Sequence, residues 1–224
     1  MKANEGVVIT GQQVTLVPYE KEHVSKYHNW MKDPWLQEMT ASEPLSIEEE
    51  FEMQKSWRED AESASAVLEI IAANDGDFIV IMVWIECTFI VLASDDSDGK
   101  TGASYVDENA INRMAGDVNL FFNDYDDPHA CEMEIMIAEE KYRRKGFAME
   151  AVKLMMAYAT STLHVTRFIC KIIETNQASI QLFEKLGYVK YNYVAAFNQV
   201  ELELVTKDKR MDTVLESAVI HTPQ

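Results

Sequence analysis

The segment Glu132-Met-Glu-Ile-Met-Ile-Ala-Glu-Glu-Lys-Tyr-Arg-Arg-Lys-Gly-Phe-Ala-Met-Glu-Ala151 constrains the fold of this chain more than any other. It reads as a strand, a short basic loop with one glycine, and then a helix. In extended backbone, Met133, Ile135 and Ile137 share one face, and Glu132, Glu134 and Met136 the other. From Gly146 onward, Ala148, Val152, Met155, Met156 and Ala159 recur at helical spacing and predict a buried stripe. Lys141, Arg143, Arg144 and Lys145 therefore crowd a helix start, where the macrodipole is already positive. That arrangement is unfavourable until an anion arrives. Free backbone amides and arginines then make a phosphate site. Gly146 and Ala148 are small enough to let a ligand approach the backbone closely.

A second informative segment follows about thirty residues later. Arg167-Phe-Ile-Cys-Lys-Ile-Ile173 is an apolar, β-branched strand. In Asn176-Gln-Ala-Ser-Ile-Gln-Leu-Phe-Glu-Lys-Leu-Gly-Tyr188, Ile180, Phe183 and Leu186 form a helical stripe. Asn176 is placed to cap this helix at its start and Gly187 at its end.

The pattern Arg143-x-x-Gly146-x-Ala148, after a strand and opening a helix, resembles the pyrophosphate-binding motif of the GNAT acyltransferases. Asn176-x-x-Ser179-x-x-Leu182-Phe183-x-x-x-Gly187-Tyr188 resembles that family's second signature. Val14 to Tyr19, Tyr27 to Trp30 and Asp33-Pro34 are similar to the opening of its RimJ/RimL-like branch. Leu16 to Tyr19, Thr40 to Leu45, Gly116 to Phe121 and Glu132 to Glu139 resemble the eukaryotic N-acetyltransferase 9-like proteins. The similarity spans about Lys2 to Leu204 with one interruption.

The resemblance implies an α/β (α+β) GNAT fold, a mixed, mostly antiparallel sheet flanked by helices. It implies an N-acetyltransferase that moves the acetyl group of acetyl-CoA directly to an amine, of a protein or peptide, in a ternary complex. On this chain the coenzyme would meet Ile135, Met136 and Ile137 of the strand, and Arg143 to Ala148 of the loop, including Lys145 and Phe147. It would also meet Asn176, Ser179 and Phe183 of the second signature. Glu132 and Glu134 are the candidate catalytic carboxylates, as base or as water-mediated amine binders; half-exposed strand carboxylates are the competing reading. Many relatives carry a tyrosine acid where Phe183 stands, so the acid must be Tyr188, Tyr142, Ser179, water or nothing. Lys171 likewise stands where some N-terminal acetyltransferases place a glutamate. An acetyl-CoA-binding, weakly catalytic interaction protein, associated with microtubules, is therefore the alternative function.

Composition sets further bounds. The net charge of −18 argues against nucleic acid as a partner and suits a basic peptide or amine. It also works against direct binding to acidic tubulin tails. Cys87, Cys131 and Cys170 show no metal spacing and lie in strand-like runs, so buried thiols and no metal are expected. The start, Met1-Lys-Ala-Asn-Glu5, has no apolar signal region, and Lys2 excludes myristoylation. A monomer in the cytoplasm, with nuclear presence allowed and no membrane partner, is the expectation. Trp30, Trp35 and Met39 are either core residues or the lining of a peptide groove.

Residues 1–206 read as one N-acetyltransferase domain, followed by a polar tail, 207–224, ending in a short helix or frayed chain. Ser46-Ile-Glu-Glu49 is a capping box that opens a helix to about Glu62. Residues 94–113 read as an exposed, flexible loop. Residues 63–86 interrupt the resemblance. Phe78 to Leu92 is a run of fifteen residues with one charge, Glu86, short of the roughly 20 that span a bilayer. An insertion, alternative exon or gene-model error is the preferred explanation, ahead of a buried extra strand or a membrane-seeking segment.

Overall fold

Among the described residues, nine of eleven strands form one sheet whose single parallel pairing lies at the phosphate-loop crossover. The computed structural model describes residues 4–59, 70–72, 78–80, 85–100, 102–124, 126–206 and 219–221. In chain order the elements are β1 (Val8–Thr10), β2 (Val14–Pro18), α1 (Lys21–Trp30), α2 (Pro34–Thr40) and α3 (Ile47–Glu59). There follow β3 (Ile70–Ala72), β4 (Phe78–Val80), β5 (Ile85–Ala93), α4 (Glu108–Arg113), β6 (Met114–Phe122) and β7 (Ala130–Ile137). The chain continues with α5 (Phe147–Thr162), β8 (Arg167–Ile173), α6 (Gln177–Leu186), β9 (Val189–Val194), β10 (Gln199–Val205) and β11 (Val219–His221). The large sheet has the order β11-β1-β2-β5-β6-β7-β8-β10-β9. Only β7 and β8 are parallel, and α5 supplies the long crossover that parallel neighbours require.

Each face of the sheet is covered. Met133, Val118 and Leu120 pack beneath Val152, Met155 and Met156 of α5 and Phe183 of α6. On the other face Val17, Ile90 and Met136 pack against Val24 and Trp30 of α1 and Leu36 of α2. The period-2 alternation read along β7 thus becomes two cores, one on either side of a single strand. Ala148 is an exception to the expected stripe: it is only half-buried, because the first turn of α5 faces a cleft rather than the sheet.

The caps read from sequence are present. The Ser46 amide donates to Glu49 Oε2 at 2.8 Å, and the Glu49 amide to Ser46 Oγ at 3.2 Å. The Asn176 side chain accepts from the Ser179 amide, and Gly187 closes α6 at φ 96°.

Three expectations change. The supposed flexible loop, 94–113, contains α4, and Arg113 makes two hydrogen bonds of 3.0 Å to the Asp98 carboxylate. The acidic, serine-rich composition concealed a partner fifteen positions away. Within the tail, β11 pairs with β1 antiparallel, Ile220 opposite Ile9, and so extends the sheet. At the interruption, β5 begins at Ile85, so Ile85 and Glu86 belong to the sheet opposite Phe122 and Phe121. β3 and β4 pair with each other as a separate two-stranded sheet; residues 63–69, 73–77 and 81–84 lie outside the described residues.

Candidate active site

Between β7 and β8 the sheet opens. Their register holds for three pairs, ending at Glu132 opposite Ile169. Beyond it β7 stays on β6 as far as Ile137 opposite Gly116, while β8 stays on β10 as far as Ile173 opposite Gln199. Gly116 permits this: a Cβ there would lie 1.8 Å from the Met136 carbonyl oxygen, so only glycine lets β7 hug β6. The β8-facing polar groups of Met133 to Ile137 are left without a strand partner inside the protein.

Two adjoining cavities occupy the opening. The larger, about 570 Å³, lies between the end of β7, the start of α5, α6 and α2. Ile135, Met136, Ile137, Arg143, Arg144, Gly146, Phe147, Ala148, Asn176 and Ser179 line it. The smaller, about 120 Å³, lies on the front of the sheet and is lined by Glu132, Glu134 and Phe183 among others. Met39, Thr40, Ile135, Met136, Asn176 and Ser179 border both. Of the residues expected to meet the coenzyme and the two candidate carboxylates, only Lys145 lines neither; it sits exposed on the loop.

The phosphate loop is built by two unusual backbone positions, Arg144 at φ 58° and Gly146 at φ 92°. Gly146 is the N-cap of α5 and offers no side chain, so the first amides of a sixteen-residue helix face the cleft unsatisfied. Arg143 lines the larger cavity and is also tied to the strand. Its Nε donates to the Ile137 carbonyl at 2.8 Å and its Nη2 to the Ala138 carbonyl at 2.7 Å. Its guanidinium also lies 4.6 Å from the Trp35 ring centre. Arg143 staples the loop to the strand, whereas Arg144 has no hydrogen bond or ion pair among the described residues. This cradle fits the pyrophosphate of a coenzyme A thioester: open amides, a left-handed glycine and a free guanidinium in one place.

The front cavity is acidic. Lys171 donates to Glu132 Oε2 at 2.5 Å, and Asn123 Nδ2 adds a bond of 3.1 Å. Glu132 is thus committed to its neighbours. Burial pushes the Glu134 carboxyl up to about 8, and the negative charges of Glu132, Asp117 and Glu86 push the same way. Burial likewise raises Asp117 to about 6. Phe183 is buried against Tyr188, with ring centres 4.9 Å apart. Tyr188 lines neither cavity; its hydroxyl points at the sulfurs of Met133 and Met156, and burial raises its pKa well above the ordinary tyrosine value. It is not the missing acid, while Tyr142 lines the larger cavity and Ser179 both.

Other candidates sort by position. Trp30 is core, its Nε1 donating to Glu139 at 3.0 Å, whereas Trp35 and Met39 of α2 line the cleft. His129 Nδ1 lies 3.1 Å from the His164 carbonyl, away from both cavities. All three cysteines are buried thiols, and burial raises each pKa, that of Cys87 to about 12. Among the described residues no group of three metal-ligating side chains is gathered, and no helix is long and apolar enough to cross a membrane. Sequence reasoning missed Tyr27, Asp117 and Asn119, which join the front cavity from α1 and β6. The pattern Asp117-x-Asn119, two polar side chains on one face of an otherwise apolar strand, was the available signal.

Comparison with known proteins agrees with this geometry. Residues 13–189 match the acetyltransferase (GNAT) domain family. An N-acetyltransferase 9-like protein of Nematostella vectensis is 42% identical, over 91% of this chain and 88% of its own length. The human alpha/beta-tubulin-N-acetyltransferase 9 is 39% identical, over 96% of this chain and 91% of its own. Among solved structures, spermidine N-acetyltransferase from Vibrio cholerae, in complex with CoA and spermine, superposes with a TM-score of 0.62 at 17% identity. It covers 86% of this chain and 95% of that one. With a splayed strand pair, a phosphate cradle and these relatives, the chain belongs to the GNAT acetyltransferases, alongside the N-acetyltransferase 9-like proteins, and is an acetyl-CoA-dependent N-acetyltransferase.

Proposed function

We propose that the acceptor is an amine of a cytoplasmic protein or peptide, and that transfer is direct, within a ternary complex. The observation that carries this reading is that the two cavities adjoin at the β7–β8 opening, sharing Ile135, Met136, Asn176 and Ser179 in their walls. One end is a basic, backbone-built cradle; the other is a front cavity with several carboxylates and one cation, Lys171. The relatives named for tubulin acetylation support a protein acceptor, with αβ-tubulin the first candidate.

The bound coenzyme supplies a thioester, whose acyl carbon bonds to the amine nitrogen as its bond to sulfur breaks. The chain's residues provide the rest. Arg144 and the first amides of α5 anchor the phosphates, and Arg143 fixes the loop's distance from β7. Those amides between Met133 and Ile137 that face β8 rather than β6 are donors for the carbonyl oxygen as it gains charge. A carboxylate of the front cavity accepts the proton of the incoming ammonium. Glu132 acts here by holding Lys171 rather than as a free base. The departing thiolate takes its proton from Ser179, Tyr142 or water, since Phe183 has none to give. Buried thiols with raised pKa values leave no thiolate to carry an acetyl group, which favours direct transfer.

Mass spectrometry of peptide libraries and αβ-tubulin incubated with the protein and acetyl-CoA tests the reading. Acetylation of free amines is expected, without acetyl-cysteine on the enzyme. Trapping a stoichiometric acetyl-cysteine would overturn direct transfer. Phe183 also favours a second reading, a protein that binds acetyl-CoA and works chiefly through interaction. Cellular effects that survive loss of acetyl-CoA binding would favour it.

A further inference from the structure

On the front face of the sheet Asp117 keeps a buried carboxylate oxygen without a donor among the described residues. Asp117 is 2% exposed and lines the smaller cavity. Its Oδ2 accepts from Asn119 Nδ2 at 2.8 Å and from the Tyr27 hydroxyl at 3.4 Å. Its Oδ1 has no partner among the described residues. A buried carboxylate oxygen without a donor carries a desolvation cost that only an arriving donor relieves.

The surroundings say which donor. Asp117 is faced by Glu86 of β5, Glu134 of β7, Tyr27 of α1 and Tyr19 at the end of β2. Glu132 and Lys171 lie further along the cavity wall, already joined to each other, and Glu50 of α3 faces the two tyrosines from behind. Lys171 is the one cation among the lining residues, and its charge is matched by Glu132. A cation is therefore drawn in and an anion turned away.

We propose that Asp117 is the acceptor-amine subsite, its free Oδ1 binding the incoming ammonium and taking one proton from it. The proposal rests on the acetyl-transfer reading and names the residue that admits the acceptor. The proton leaves R–NH₃⁺ for the carboxylate, giving a neutral amine and a carboxylic acid; the amine lone pair then attacks the acyl carbon. Glu132 is excluded by its bond to Lys171. Glu134, raised to about 8, keeps its proton at neutral pH, whereas Asp117, raised only to about 6, is ionised there. Asn119 is a positioning residue, since its bond to Oδ2 favours the ionised form.

The test uses the full chain loaded with unreactive desulfo-coenzyme A and two probes, methionine amide and N-acetylmethionine amide. NMR shift changes read the binding. The wild type is expected to bind the amine and not its uncharged counterpart, and Asp117→Asn to weaken it roughly tenfold or more. Desulfo-coenzyme A binding should be unchanged. Asn119→Ala is the second variant; it should move the acidic limb of kcat/KM for random-sequence hexapeptides to higher pH. Equal amine binding by Asp117→Asn, no amine binding by the wild type, or a loss confined to Glu134→Gln would overturn the proposal. A wild type that binds the amine yet acetylates no peptide would instead sink the acetyl-transfer reading and leave the subsite standing.

Discussion

The two ends of the active-site passage are made in different ways. The end proposed for the coenzyme draws on consecutive backbone: Arg143 to Ala148 and the first turn of α5, with Asn176 and Ser179 opening α6. The acceptor end draws on side chains from α1, β6, β7 and β8, namely Tyr27, Asp117, Asn119, Glu134 and Lys171. One end is held by main-chain geometry and tolerates changes that spare it. The other depends on burial to set which carboxyl is charged. A motif survives in sequence where the backbone does the binding, and dissolves where the sheet assembles it.

Changes that touch both ends should be the most damaging. Gly116→Ala would place its Cβ against the Met136 carbonyl and push β7 from β6. It should cost about 4 kcal/mol or more and abolish both coenzyme and amine binding, read by denaturant unfolding and calorimetry. A stable variant that still binds both ligands would show that the β6–β7 approach does not set the opening.

The coenzyme end should break next. Gly146→Trp strains a φ of 92° and fills the cradle, so acetyl-CoA affinity should fall about a hundredfold with little change in fold. Arg144→Glu, on a side chain with no partner among the described residues, should cost about 1.5–3 kcal/mol of binding. Isothermal titration calorimetry decides both. If Arg143→Ala harmed binding without lowering thermal stability, the division of labour between the two arginines would be wrong.

The acceptor end should show itself through pH. Glu134 carries a pKa of about 8 in the fold against an ordinary 4.5. Below 4.5 folded and unfolded chains are both protonated there, and the group contributes nothing. Between 4.5 and 8 the folded chain holds a proton that the unfolded chain has lost, so stability falls as pH rises. Glu134→Gln should therefore raise Tm, with no gain at pH 4 and the full gain at pH 8. A gain independent of pH would mean that Glu134 is solvated.

The smallest effect is expected away from both ends. β3 and β4 pair with each other and not with the large sheet. Removing residues 63–84, while sparing Ile85 and Glu86 of β5, should leave acetyl-CoA affinity within about twofold and the protein no less soluble. Aggregation of this variant beside a stable parent would place those residues in the core.

Much of this was legible residue by residue. Glu132 to Ala151 predicted a strand, a phosphate loop and a helix, and Asn176 to Tyr188 a capped helix, because each rests on contacts within a few positions. The Arg113–Asp98 bond, the pairing of β11 with β1 and the docking of Trp35 on Arg143 were not, for each joins residues whose local sequence carries no trace of the partner.

The sequence by itself determined the cradle proposed for acetyl-CoA: local periodicity and a left-handed glycine suffice to build a helix start with open amides. Only the tertiary structure decided the rest. Where β7 parts from β8, which arginine is free, and which carboxyl of Asp117 and Glu134 remains charged all follow from burial and from partners brought in by distant strands. Charge inside a protein is set by desolvation and neighbours, and neither is written in the residues one at a time.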